Sequence, residues 1–145
     1  MDILESVTSH WGWTGIEPAS VIAINEFGNI IMKDHAGKFW RLCPEDVYCE
    51  VIAADDAAYN TLVKDEEFNE DWFMEVILRK AVQKFGELKE DNKYTLAVPA
   101  VLGGEYGGSN LKMVPHLRII AFYGQLAKEI KDSADGAKIK VPSII

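Results

Sequence analysis

The residues able to carry chemistry are few and scattered. The three histidines, His10, His35 and His116, fall in three separate expected elements. His35 stands beside Asp34 in a hairpin loop, and His116 follows Pro115 at a helix start. General acid–base or nucleophilic catalysis needs a partner group at a defined spacing, and neither histidine has one that the sequence identifies. No serine occupies a Gly-x-Ser-x-Gly elbow, and the carboxylates are so concentrated in one segment that no catalytic pair stands out. The two cysteines, Cys43 and Cys49 in CPEDVYC, are separated by five residues with no histidine beside them. That spacing does not match a zinc knuckle, and the pair reads as buried thiols. Neither a metal nor a cofactor is expected.

The stretch VPAVLGGEYGGSNLKMV, beginning at Val98, places Gly103, Gly104, Gly107 and Gly108 within six positions. A Walker-type phosphate loop requires Lys and then Ser/Thr after its last glycine, whereas Gly108 is followed by Ser109 and Asn110. No register supplies the Gly-x-Gly-x-x-Gly of a dinucleotide site. The glycines therefore point to positive φ or to a close backbone approach, with Glu105 and Tyr106 at the tip of the loop. A small-ligand or enzymatic site built from this loop with His35 or His116 stays open as an alternative, as does a regulatory interaction domain.

Charge is the stronger signal. The chain carries −8 overall, yet residues 44–75 alone carry −10, with eleven acidic residues against Lys64. The remainder is slightly basic at +2. Such a segment repels a phosphate backbone and attracts a basic protein, so direct nucleic-acid binding is disfavoured. Asp55, Asp56, Asp65, Glu66, Glu67, Glu70 and Asp71, together with Glu105 and Tyr106 of the loop, are the expected partner-binding residues. The competing reading of the acidic segment is a solvated helical face.

These residues need a scaffold. At 145 residues and 48% hydrophobic, the chain fits one α+β domain, 1–145, with its own core. No apolar run approaches the roughly 18 residues needed to span a bilayer, and the start MDILESVTSH shows no secretory pattern, so a cytoplasmic protein with no membrane contact is expected. A short helix is predicted from Asp2 to His10. Residues 20–53 read as an antiparallel meander of short strands, with KDHAGK as a hairpin loop and Gly37 at positive φ. Asp55 or Asp56 caps a helix through about Val63. The acidic DEEFNED then opens one longer helix, whose stripe of Phe73, Ile77, Ala81 and Phe85, flanked by Trp72 and Val76, runs to Gly86. KYTLAVP is a strand. Past the glycine loop, Pro115 opens a helix to about Lys131 whose broad apolar surface, including Ile119, Ile120, Phe122, Tyr123 and Leu126, places it centrally. The tail ADGAKIKVPSII is an edge strand or frays. Trp11 and Trp13 in HWGWTG are read as core residues rather than as interface anchors.

Three stretches carry a family resemblance. NEFGNIIMKDHAGKFWRLCPED, FGELKEDNKYTLAVPAVLGGEYGGSNLKMV and AFYGQLAKEI resemble the C-terminal domain of Tdi-type immunity proteins of type VI secretion systems. The matching positions are Phe27, Gly28, Asn29 and Ile30, then Phe85, Gly86 and Leu88, then Tyr94, Pro99, Leu102, Gly103, Gly104, Asn110 and Leu111, within roughly residues 20–130. These are scaffold residues. Longer members carry a GAD-like N-terminal portion, where this chain has a short lead-in. The resemblance implies a non-enzymatic inhibitor that binds a cognate cytoplasmic toxin, often a DNase, and protects the producing cell and its siblings.

Overall fold

The computed structural model describes residues 1–133 and 144. Helix α1, Ile3–Trp11, starts at Asp2, whose carboxylate accepts a hydrogen bond from the Glu5 amide at 2.8 Å. Strands β1 (Pro18–Ile24), β2 (Ile30–Asp34), β3 (Phe39–Cys43) and β4 (Tyr48–Ala53) form an antiparallel sheet in sequential order. The β2–β3 turn follows from Asp34, whose Oδ1 accepts from the amides of Ala36 and Lys38 at 2.9 and 2.8 Å, and from Gly37 at φ +88°.

Strand alternation sends side chains to two layers. Ile30, Met32, Leu42 and Cys49 pack on one side with Val7 and Trp11 of α1 and with Ile119, Ile120, Tyr123 and Leu126 of α5 (His116–Asp132). Trp11 is fully buried, and its indole donates to the Ile120 carbonyl at 3.0 Å. Gly124 allows this approach: a Cβ there would lie 2.6 Å from the His10 carbonyl oxygen. On the other side, Ile31, Phe39 and Ala53 meet Tyr59 of α2 (Asp56–Leu62) and Phe68 and Trp72 of α3 (Glu66–Phe73). A third cluster joins Phe27 to Ile77 and Ala81 of α4 (Glu75–Phe85) and to Tyr94, Leu96 and Leu111.

One expectation is corrected. The long helix through residues 66–85 is two helices, because Met74 adopts φ 49°, ψ 43° and ends α3 before α4 begins. The apolar residues serve separate clusters, Trp72 against the sheet and Ile77 against the third cluster, and one straight helix does not reach both. Asn25 Nδ2 donates to the Trp72 carbonyl at 2.9 Å, satisfying an acceptor at the helix end. The break turns Phe73 and Val76, both placed on the expected stripe, out to solvent. The run after the glycine loop, to which the sequence assigned no element, is a strand, β6 (Leu111–Pro115), which pairs antiparallel with β5 (Asn92–Leu96) across the intervening loop and leads straight into α5. The expected edge strand or frayed tail lies outside the described residues, apart from Ile144. That residue is buried, and its carbonyl accepts from Arg118 Nη2 at 2.7 Å.

Candidate partner-binding face

The glycine loop is organised by its own side chains. Asn110 mimics a backbone partner for Val98: its Oδ1 accepts from the Val98 amide at 2.9 Å, and its Nδ2 donates to the Val98 carbonyl at 3.0 Å. The same Nδ2 donates to the Glu105 carbonyl at 2.8 Å. Gly103 takes φ +90°, and Gly104 lies so close to residue 98 that a Cβ would stand 1.9 Å from the Val98 carbonyl oxygen. Pro99 closes the turn by accepting from the Gly104 amide at 3.0 Å. Gly104→Val is therefore expected to destabilise by about 1–3 kcal/mol through overpacking against backbone. Glu105→Ala and Tyr106→Ala should stay within about 0.5 kcal/mol of the parent. Thermal melts of the three variants check this, and an unchanged Gly104→Val melt would contradict the close approach.

The histidines occupy unlike environments. His35 is exposed on its hairpin turn. His116 is buried over Gly28, which has φ +75°, and its Nε2–H donates to the Gly28 carbonyl at 3.1 Å. Burial pulls the His116 imidazole below its ordinary pKa, with Lys93 acting in the same direction. Gly86, at φ +76°, offers its carbonyl to the Tyr94 hydroxyl, and Phe27 packs against the Tyr94 ring. Both cysteines are buried free thiols, and burial pushes Cys49 up to about 12, well away from a reactive thiolate. Among the described residues, no group of three or more His, Cys, Asp or Glu side chains is arranged to hold a metal ion.

A buried polar network lies beneath the acidic segment. Arg41 of β3 is 3% exposed. Its Nε and Nη2 donate to Asn29 Oδ1 at 3.1 and 2.9 Å, and its Nη1 reaches Asp71 Oδ2 on α3 at 2.5 Å. The guanidinium also sits 5.3 Å from the Trp72 ring centre. Asn29 Nδ2 donates to both carboxylate oxygens of buried Glu45, at 3.1 and 2.9 Å. Burial raises the Glu45 carboxyl, against the lowering influence of those hydrogen bonds and of Arg41. The Glu45 carbonyl in turn accepts from the Ala100 amide at 3.2 Å, tying sheet, helix α3 and glycine loop together. Asn29, Arg41 and Glu45 were not singled out in the sequence as a network. The available sign was Arg41 itself, a charge inside the otherwise apolar strand FWRLC.

The acidic residues divide by role. Asp55 caps α2 by accepting from the Ala58 amide at 2.8 Å, and Asp56 pairs with Lys33 at 2.8 Å. Asp65, Glu66 and Glu67 stand at the N-cap and first turn of α3, where carboxylates favour the helix dipole. Two open clefts flank the Met74 break and share Glu70, Glu75 and Val76. One, of about 710 Å³, runs past Glu66, Asn69 and Phe73. The other, of about 380 Å³, runs past Asp46, Asp71 and Tyr106. The Tyr106 hydroxyl donates to Asp46 Oδ1 at 3.3 Å, which brings the loop tip to this edge. Of the expected partner residues, the clefts thus gather Glu66, Glu70, Asp71 and Tyr106. Asp55, Asp56, Asp65, Glu67 and Glu105 line neither of them. A larger groove of about 1040 Å³ lies elsewhere, along β1 and the start of α5, and contains none of these acidic or loop residues.

Residues 56–127, from α2 into α5, match the family described as the type VI secretion system (T6SS) immunity protein Tdi1, C-terminal. The chain belongs to this Tdi1 C-terminal family. The matched span contains Gly86, Pro99, Gly103, Gly104 and Asn110, while Phe27 and Gly28 precede it. The fold of this Tdi1-family chain is similar to the crystal structure of Atu4351 from Agrobacterium tumefaciens, with a TM-score of 0.57 and 17% identity over 84% of this chain. The match spans 64% of that protein's length. A search of curated proteins returned no match. Among the described residues of the Tdi1-family chain, no helix is long and apolar enough to cross a membrane.

Proposed function

We propose that this chain is a non-enzymatic immunity protein that binds a cognate toxin in the cytoplasm of the producing cell and holds it inactive. The observation that carries the reading is the Tdi1 family match over residues 56–127. The concentration of carboxylates in residues 44–75 supports a basic toxin, and a nuclease in particular. A nuclease groove is shaped and charged for phosphates, so a surface of fixed carboxylates accelerates encounter and competes with the nucleic acid for the groove. The partner residues proposed are Asp55, Asp56, Asp65, Glu66, Glu67, Glu70, Asp71, Glu105 and Tyr106. The residues closest to the Met74 break contribute to the bound contact, and those on α2 and at the start of α3 act mainly through long-range attraction.

The test is protection in cells. Co-expression with a cognate toxin is expected to restore growth, with neither toxin nor DNA covalently changed. Growth arrest despite folded protein, or a covalent modification of the toxin, contradicts the reading.

A further inference from the structure

We infer that the junction of α3 and α4 is a docking cleft for an arginine-bearing, apolar-flanked segment of a basic protein, an assignment that rests on the immunity reading above. Its starting point is an apolar face with nothing packed on it. Phe73 and Val76 are 53% and 65% exposed, although four-residue spacing sets Phe73 on one stripe with the buried Ile77 and Ala81. Met74 in the left-handed region, uncommon for a non-glycine residue, turns both side chains outward. That backbone is fixed from below: Asn25 holds the Trp72 carbonyl, Arg41 holds Asp71, and the Leu78 amide donates to the Met74 carbonyl at 2.9 Å. The exposed pair is therefore presented on a preorganised surface, which reduces the ordering required on binding.

Charge decides the occupant. Asp46, Glu66, Glu70 and Glu75 surround the apolar pair, against Lys64 and Lys80, while Asp71 at the same edge is paired with Arg41. A second copy of this chain, at −8, would bring like charge to like, and nucleic acid is repelled for the same reason. A cationic segment with apolar neighbours satisfies both features. Arginine suits it better than lysine, because its planar guanidinium can bond carboxylates in pairs and stack on the faces of Phe73 and Tyr106.

The test uses the full chain, isotopically labelled for NMR, and two synthetic peptides of equal length and charge, one alternating Arg with Leu and the other Lys with Ser. The Arg–Leu peptide is expected to saturate, with shifts centred on residues 72–78 and Tyr106, and to bind about ten-fold tighter than the Lys–Ser peptide. Phe73→Ser combined with Val76→Ser should weaken it about ten-fold. If that variant melts early, Glu70→Gln with Glu75→Gln gives the same reading from the charged rim. Equal affinity for the two peptides, absence of saturation, shifts centred on the groove beside β1, or undiminished binding by the folded variants overturns the cleft. Cell protection separates this outcome from failure of the immunity reading. A parent and a Phe73/Val76 variant that protect equally and bind toxin equally refute the cleft alone. Saturable peptide binding by a chain that protects against nothing refutes immunity alone.

Discussion

Arg41→Ala is expected to lower the unfolding free energy by about 3–5 kcal/mol, as when one member of a buried charged cluster is removed. The guanidinium supplies two donors to Asn29 Oδ1 in the interior and one to Asp71 at the surface. Without it, Asn29 keeps a buried acceptor with no partner and the side-chain volume is emptied. Glu45 is already pushed upward by burial and also loses an opposing positive charge. Asp71→Ala breaks the same ion pair from the other end. This carboxylate is itself 65% exposed, but its loss leaves a buried guanidinium donor without its partner, so the change should cost about 1–3 kcal/mol. That is less than for Arg41→Ala, because the Asn29 contacts and the nearby Glu45 charge remain. Urea unfolding of both variants measures the asymmetry. Equal losses would contradict a network anchored in the interior. A folding margin of about 5–15 kcal/mol leaves the Arg41 variant partly unfolded at the lower end of that range.

The second large effect is kinetic. Reversing Asp65, Glu66, Glu67 and Glu70 to lysine should slow association with the proposed basic toxin by about ten-fold or more, because steering depends on the summed field. The parent's association rate should fall with added salt, since attraction between exposed charges is screened over about 8 Å at physiological ionic strength. Three of these residues also serve the N-terminus of α3, where each lysine opposes the helix dipole by about 0.3–1 kcal/mol. The neutral Asn/Gln counterparts at the same four positions separate the effects. They should show an intermediate association rate with a melt closer to the parent. Stopped-flow association at two ionic strengths gives the answer; an unchanged rate in the reversed variant, with no salt dependence in the parent, returns the segment to a solvated face.

What the sequence made legible was local. Asp2 and Asp55 cap helices through an amide three residues on, and Asp34 with Gly37 shapes its turn within five residues. Neighbouring residue types determine such features, so periodicity and capping chemistry reach them. The helix break at Met74 was not legible, because no glycine or proline marks it and its cause lies far away in Asn25 and in two separate hydrophobic clusters. The β5–β6 pairing was missed for a related reason: its partners are separated by residues 97–110, and the clamp that closes them is the Asn110 amide. The net charge of residues 44–75 was correctly read from composition, but its distribution was not. Glu45 is interior, and Asp71 is committed to Arg41. The face assembled around Phe73, Val76 and Tyr106 therefore depends on tertiary placement that no local pattern encodes.

The central claim is inhibition by stoichiometric binding, and titration of toxin activity against this chain tests it most directly. With toxin held well above the dissociation constant, activity should fall linearly to zero at one equivalent, and both proteins should retain their intact masses. Complete inactivation at a small fraction of an equivalent, or a mass change in the toxin, would show turnover and contradict the account.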